Sequence, residues 1–158
     1  MYLELESVFN REGECVNFDY SFDIGDESIT TPVKVCGSVS NKTGIVSLSA
    51  DAEFDFSTSC ALCNKPVVRR TSVPVKHILV PHTENDDTDM YIVVDSMRLN
   101  LDELVSEDVY LAWPSRVLCK ADCKGLCSVC GADLNEGVCK CKKETDPRWN
   151  ALKDLFNE

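Results

Sequence analysis

Eight of the ten cysteines in this 158-residue chain fall into four closely spaced pairs. The members of each pair are separated by one to three residues, so a tight turn can aim both sulfurs at one metal ion, with Zn–S distances of about 2.3 Å. Gly131 directly follows one pair and can adopt the positive φ that such a turn needs. The spacing therefore predicts thiolate metal sites. The pairs are Cys60 with Cys63, Cys119 with Cys123, Cys127 with Cys130, and Cys139 with Cys141.

Length and composition allow an ordinary folded core. The chain is 44% hydrophobic, and a domain of this size buries a core without crosslinks. Its first residues are acidic where a secretory signal needs basic ones, and no segment reaches the ~20 apolar residues that span a bilayer. We therefore expect a cytoplasmic protein without membrane contact. In that reducing compartment, close-set cysteines are metal ligands or redox groups more often than disulfides.

The cysteine pairs divide into two predicted zinc sites. A compact site can close within one short stretch, whereas a long-range site must join two distant pairs. Three alternatives stay open. Cys123 and Cys127 could exchange roles, a histidine could replace one thiolate, or the pairs could be inert buried thiols. Neighbouring lysines would lower the thiol pKa values and offset the anionic clusters. The compact site uses Cys127, Cys130, Cys139 and Cys141, and the long-range site uses Cys60, Cys63, Cys119 and Cys123.

Four further residues of metal-binding type lack a partner nearby in the sequence. Cys15 and Cys36 stand alone and are left out of both predicted sites. His77 lies in an apolar run and His82 begins an acidic stretch. Isolated histidines lack metal-ligand spacing, so both are interpreted as ordinary residues.

The first half of the chain has the pattern of β-strands. Apolar and polar residues alternate over residues 15–24, which is typical of a half-buried strand. Residues 41–44 form a predicted turn between two later strands, and Pro74 predicts a sheet edge or a bulge. The further predicted strands cover residues 33–39, 46–48, 52–56, 67–80 and 91–94.

Two helices are predicted in the second half. Asn100 and Glu103 have capping-box spacing, and the apolar spacing that follows ends at Pro114. Asp146 and Pro147 begin a second amphipathic pattern at the end of the chain. Residues 81–89 have the composition of an acidic loop.

These patterns predict an α+β fold, with an antiparallel, barrel-like β portion followed by helices and a cysteine-rich zinc-binding segment. Residues 1–114 form the mainly β portion, with one helix near its end. Residues 115–158 form the zinc-binding segment and the terminal helix. We treat the two as one integrated domain.

Charge restricts the choice of partner. The formal net charge is −11, and a four-thiolate zinc site adds about −2. Such a chain repels polyphosphate overall, so a protein partner is the simpler inference. A local basic face could still contact RNA, although the same charges could merely solvate a strand and balance thiolates. The candidate contact residues are Lys65, Arg69, Arg70, Lys76, Arg116, Lys120 and Lys124.

One stretch resembles a known family. Residues 118–137 read LCKADCKGLCSVCGADLNEG and are followed by DPRW at 146–149. This arrangement resembles the YceD-like family, the large ribosomal RNA subunit accumulation proteins. The upstream Cys60-x-x-Cys63 pair and residues 99–114 are similar to that family's layout as well. The resemblance implies a role in accumulation or maturation of large-subunit ribosomal RNA in bacteria and plastids.

The resemblance favours a non-catalytic ribosome-assembly factor whose zinc sites shape an interaction surface. It implies a ribosomal RNA precursor or a large-subunit ribosomal protein as partner, and no small-molecule substrate is expected. The acidic loop and helix between Glu84 and Asp108 suit contact with such a protein.

The alternative is a thiol redox protein that uses Cys60 and Cys63, since C-x-x-C spacing also serves oxidoreductases. The βαβ context of such proteins is missing around this pair, and clustered thiolates favour closed coordination over an open catalytic zinc. We therefore expect no enzyme activity.

Overall fold

The computed structural model describes residues 1–82 and 90–141, except for the side chain of Asp95. Within these residues the chain is mixed α/β and consists mostly of sheet. The elements in chain order are β1 (Tyr2–Glu4), α1 (Glu6–Asn10), β2 (Cys15–Phe22), β3 (Val33–Lys42), β4 (Ile45–Ser59), β5 (Pro66–Val80), β6 (Ile92–Val93), a 3-10 turn (Asp95–Met97), β7 (Arg98–Asn100) and α2 (Leu101–Leu111).

The chain divides into two compact units. The first, which we call the sheet unit, comprises Met1–Thr58 and Val67–Ser115. The second, which we call the sulfur unit, comprises Ser59–Pro66 and the chain from Arg116 onward. The sulfur unit is described as far as Cys141.

Five strands of the sheet unit form one sheet in the order β2-β3-β4-β5-β6. The β2–β3 and β3–β4 pairs are antiparallel. Two residues, Thr43 and Gly44, connect β3 to β4, and both have positive φ, at 54° and 84°. Positive φ at both central positions is the conformation that matches the twist of a two-residue hairpin. The turn predicted at residues 41–44 therefore fixes the β3–β4 register.

The sheet is open, so the prediction of a barrel-like β portion was wrong. Closure would require the outer strands β2 and β6 to pair, and β6 is only two residues long. The pairing is also not antiparallel throughout, because β6 runs parallel to β5, with Leu79 opposite Ile92 and Val80 opposite Val93. A parallel neighbour needs a connection of about a dozen residues, and eleven residues, 81–91, separate β5 from β6 in the sequence.

The core of the sheet unit follows the alternation of the strands and one face of α2. Within β3, Val33, Val35 and Val39 are fully buried. Burying an aliphatic side chain of this kind contributes about 1.5–3 kcal/mol relative to exposure. Trp113, just past α2, packs on Phe56 with ring centroids 5.1 Å apart. The α2 residues that join this core are Leu101, Leu104, Val105 and Val109.

Helix α2 begins where the sequence predicted, directly after Asn100. The Asn100 side chain makes no capping hydrogen bond to the helix backbone, and its Nδ2 donates to Glu103 Oε2 at 3.2 Å. Neither α1 nor α2 is long and apolar enough to cross a bilayer, and the same holds for any helical segment in residues 1–82 and 90–141. The predicted terminal helix lies outside the described residues, as do residues 83–89 of the acidic loop predicted over residues 81–89.

Candidate metal centres

The sulfur unit is assembled by backbone hydrogen bonds between two distant parts of the chain. The segment Ser59–Pro66 links β4 to β5 and turns back on itself, because Cys60 N donates to Lys65 O at 2.8 Å. Ala61 N then donates to Val117 O at 2.8 Å, and Leu126 N donates to Leu62 O at 3.0 Å. These bonds bring the first cysteine pair next to the segment that follows Arg116.

The first sulfur site comprises Cys60, Cys63, Cys119 and Cys123, whose sulfurs all lie within 4.8 Å of one another. Two Sγ–Sγ distances are 3.8 Å, between Cys60 and Cys123, and 3.5 Å, between Cys63 and Cys119. Four thiolates about 2.3 Å from a tetrahedral zinc ion would have sulfurs about 3.8 Å apart. Three of the four side chains are buried, and Cys119 is half-buried. The geometry therefore fits a closed structural metal site.

The second sulfur site comprises Cys127, Cys130, Cys139 and Cys141, whose sulfurs also lie within 4.8 Å of one another. Its first pair sits on a tight turn in which Gly131 N donates to Cys127 O at 2.9 Å. Val129 N lies 3.5 Å from Cys127 Sγ and donates toward it, as backbone amides do in thiolate metal sites. This site is more open to solvent, since Cys130 is exposed and the other three cysteines are half-buried.

Ionisation is uneven within the first sulfur site. Burial raises the pKa of Cys60, but hydrogen bonds from backbone N–H groups, those of Cys119 and Cys63 foremost, outweigh it and lower the pKa to about 6. The neighbouring Cys63 thiol and then burial raise the pKa of Cys119 to about 12. One sulfur is thus ready to bind a cation at neutral pH, whereas another holds its proton until a metal displaces it.

The second sulfur site repeats this contrast. Backbone N–H groups of Cys130 and Val129 lower the pKa of Cys127 to about 6. The neighbouring Cys130 thiol, followed by burial, raises the pKa of Cys141 to about 12. Four sulfurs held this close oppose one another's ionisation, and a divalent cation between them removes that opposition.

Asn135 is a contributor to the first sulfur site that the sequence reasoning missed. Its Nδ2 donates to Cys123 Sγ at 3.5 Å, and its Oδ1 accepts from Lys124 N at 3.0 Å. Asp133 Oδ1 in turn accepts from both the backbone N and Nδ2 of Asn135, at 2.8 and 2.7 Å. The only sequence signal was the Asp-x-Asn spacing, which is typical of an Asx turn.

An ion pair ties Asp133 to the other segment of the sulfur unit. Lys65 Nζ lies 2.7 Å from Asp133 Oδ2 and 3.0 Å from Glu136 Oε1. The Lys65 ammonium, followed by the Asn135 backbone N–H, lowers the pKa of Asp133 to about 2. Lys65 lies two residues after Cys63, so this ion pair links the first cysteine pair to the segment that holds Asn135.

The candidate RNA or partner contacts are divided between the two units. Lys65 belongs to the sulfur unit and is engaged by two carboxylates, while Arg70 of the sheet unit pairs with Glu53 Oε2 at 2.6 Å. Lys65 and Arg70 therefore already balance acids within their own unit. The other five are exposed: Arg69 and Lys76 in the sheet unit, and Arg116, Lys120 and Lys124 in the sulfur unit.

The isolated cysteines and histidines belong to the sheet unit, whereas both sulfur sites belong to the sulfur unit. Cys15 on β2 and Cys36 on β3 are exposed. His77 Nε2 lies 2.7 Å from Asp108 Oδ2, in a half-buried pair between β5 and α2. No histidine among residues 1–82 and 90–141 joins either group of sulfurs.

One family model and several known proteins match most of this chain. Residues 48–156 match the model of a family described as large ribosomal RNA subunit accumulation protein YceD. Relatives from Mycobacterium bovis and from two strains of Mycobacterium tuberculosis are each 28% identical over 139 residues. The alignment covers 85% of this chain but 60% of each relative, and all three are named only as uncharacterized proteins. No solved structure matches the chain.

Proposed function

The chain belongs to the YceD family of large ribosomal RNA subunit accumulation proteins, and from that membership we propose that it is a non-catalytic zinc protein in accumulation or maturation of this RNA. The observation that carries the metal part of the proposal is the presence of two separate groups of four cysteine sulfurs within 4.8 Å. The family name supplies the biological process.

Zinc is the metal we propose for both sulfur sites. Four thiolates in tetrahedral spacing are the ligand set of structural zinc sites in intracellular proteins. Iron–sulfur clusters use the same ligand type, but they hold their cysteines around several atoms rather than one. Sulfurs within 4.8 Å of one another suit a single ion.

The proposed role of the metal is structural. Four protein ligands complete the tetrahedral coordination of zinc and leave no position for a substrate or a reactive water. The redox alternative at Cys60 and Cys63 has less support, because both side chains are buried and face two further cysteines. A reactive redox pair needs an accessible thiolate.

We propose a protein as the direct partner, in a complex that contains the ribosomal RNA precursor. The described sulfur unit carries five basic and three acidic residues, but two four-thiolate zinc sites would add about −4 in total. The metal-loaded unit would then be slightly negative, which does not favour the phosphate contacts that dominate RNA affinity. A large-subunit ribosomal protein fits this charge better.

Depletion of the chain in its source organism tests the proposed function. We expect the ratio of large-subunit to small-subunit ribosomal RNA to fall, and wild-type protein to restore it. Cys63→Ser and Cys130→Ser should fail to restore the ratio, whereas the matched control Cys15→Ser, at an exposed cysteine outside both sites, should succeed. An unchanged ratio after depletion would contradict the proposal.

A further inference from the structure

The sheet unit has a surface trough that neither sulfur site uses. Two adjoining cavities of about 590 and 280 Å³ share the lining residues Ile92, Leu104 and Glu107. The two cavities are therefore neighbours along α2, and we call them together the α2 trough. Its lining comes mainly from β4, β5, β6, β7 and α2, all within the sheet unit.

The α2 trough exposes large apolar side chains. Leu111 is 85% exposed, and Met90 is 71% exposed. Tyr91 and Ile78, which line the same cavity, are about 40% exposed. A concentration of exposed apolar side chains rimmed by charge marks an interaction site rather than ordinary surface.

The rim of the trough is acidic. Glu103, Glu107 and Asp108 lie along it. Asp108 is paired with His77, which lines the same cavity, whereas within the described residues the Glu107 carboxylate has no cationic partner. One Lys and one Arg line the trough, Lys76 and Arg98. The Arg98 guanidinium already forms an ion pair with Glu4 Oε1 at 2.7 Å. The described sheet unit as a whole carries sixteen acidic and seven basic residues. The trough therefore attracts cations and repels polyphosphate.

The trough also borders an open edge of the sheet. Among the described residues, β6 covers β5 only at Leu79 and Val80, so the segment 76–78 has no strand on that side. Such an edge offers backbone donors and acceptors to an extended chain, and alternate side chains of that chain would point to the same face of the sheet.

We propose that the α2 trough binds an extended, basic peptide segment of a partner protein, with apolar residues seated against Leu111 and Met90 and basic residues against Glu107. The binding site itself follows from charge and shape. The identity of the partner rests on the proposed function, since basic extended segments are what a ribosomal protein would supply.

The experiment is selection from a phage-displayed library of random 12-residue peptides on the zinc-loaded full-length chain. Selected peptides should be rich in Lys and Arg with interspersed apolar residues. Binding of the synthesised peptides, measured by fluorescence anisotropy, should weaken about tenfold in Leu111→Asp and in Glu107→Lys. Both positions are exposed, so these variants should keep the wild-type melting temperature and zinc content.

Two matched controls test whether the effect is local. Val68→Asp changes another exposed apolar residue, 66% exposed, and Asp51→Lys reverses an exposed acid on β4; neither lines the trough. Both should change peptide affinity by less than about twofold.

Several outcomes would overturn the inference. These are failure to enrich any peptide, enrichment of acidic peptides, or equal binding to the Leu111→Asp variant. RNA binding that Glu107→Lys strengthens would assign the trough to RNA, and a dimer that Leu111→Asp dissociates would assign it to a second copy of the chain. If no peptide binds but depletion lowers the ratio of large-subunit to small-subunit ribosomal RNA, only the peptide site is wrong. If peptides bind as expected but depletion leaves the ratio unchanged, only the proposed function is wrong.

Discussion

Asn135 and Cys123 are joined by a hydrogen bond from the asparagine Nδ2 to the cysteine Sγ, at 3.5 Å. The amide is held in that orientation because its Oδ1 accepts from Lys124 N at 3.0 Å. An N–H donor aimed at a thiolate offsets part of its charge and fixes its direction, as outer-shell residues do around metal sites. Asn135 is therefore a positioning residue for the first sulfur site.

Replacing Asn135 with alanine should weaken zinc binding at the first sulfur site by about 10-fold to 100-fold, the range seen when outer-shell partners are lost. The measurement is chelator competition in a chain whose second sulfur site is disabled by Cys130→Ser. Asn17→Ala, on the exposed side of β2, is the matched control and should leave the affinity unchanged. An unaltered affinity in Asn135→Ala would remove Asn135 from the site.

The two sulfur sites should lose their metal separately. Cys63→Ser removes one ligand of the first site and Cys130→Ser one ligand of the second, so each variant should retain about one zinc ion per chain. Native mass spectrometry distinguishes the two states directly. Loss of both ions from either variant would show that the eight sulfurs act as one cluster.

Gly125 and Gly131 offer a test of how closely the two segments of the sulfur unit approach. Both have positive φ, at 72° and 73°. A Cβ on Gly125 would lie 2.9 Å from Leu62 O, whereas a Cβ on Gly131 would meet nothing within 4 Å. Gly131→Ala should therefore cost only the backbone strain, about 1–2 kcal/mol, and Gly125→Ala clearly more.

Melting temperatures of the two zinc-loaded glycine variants give the comparison. Gly125→Ala should melt lower than Gly131→Ala and should release zinc from the first site faster. Equal melting temperatures would mean that the close approach of Leu62 O to Gly125 adds nothing to the destabilisation that the positive φ alone causes.

Zinc affinity should fall as the pH falls. Cys119 and Cys141, with pKa values of about 12, still hold protons at neutral pH, and zinc must displace them. Each proton displaced makes the affinity about tenfold weaker per pH unit downward. Below about pH 6, Cys60 and Cys127 also become protonated, so the dependence should steepen.

Chelator competition between pH 5.5 and 8, together with calorimetry in buffers of different ionisation enthalpy, measures this proton release. An affinity that does not change with pH would contradict thiolate ligation at both sites.

Local sequence patterns predicted β2, β3 and β5 because alternation and turn chemistry act over a few residues. The positions of Thr43 and Gly44 show this, since their positive φ values set the β3–β4 hairpin. The same patterns divided β4 into two strands and missed β1 and β7. The open sheet was not predictable in this way. Whether β2 and β6 meet depends on strand length and on a parallel crossover, which are properties of the whole sheet.

The candidate metal sites were likewise predictable only where local spacing determines them. Spacing identifies which cysteines can act as local pairs, but the approach of Cys60 to Cys123 depends on contacts such as Ala61 N to Val117 O. Asn135 was not predicted because it lies twelve residues beyond the thiolate it contacts and is not of metal-ligand type. Outer-shell donors are defined by tertiary geometry, so residue spacing does not predict them.

Metal content of the purified wild-type chain tests the central claim most directly. Elemental analysis of protein prepared without added metal or chelator should find about two zinc ions per chain, in line with the two groups of four sulfurs. Protein that contains no zinc or comparable transition metal, and that carries a reversible Cys60–Cys63 disulfide instead, would contradict the account.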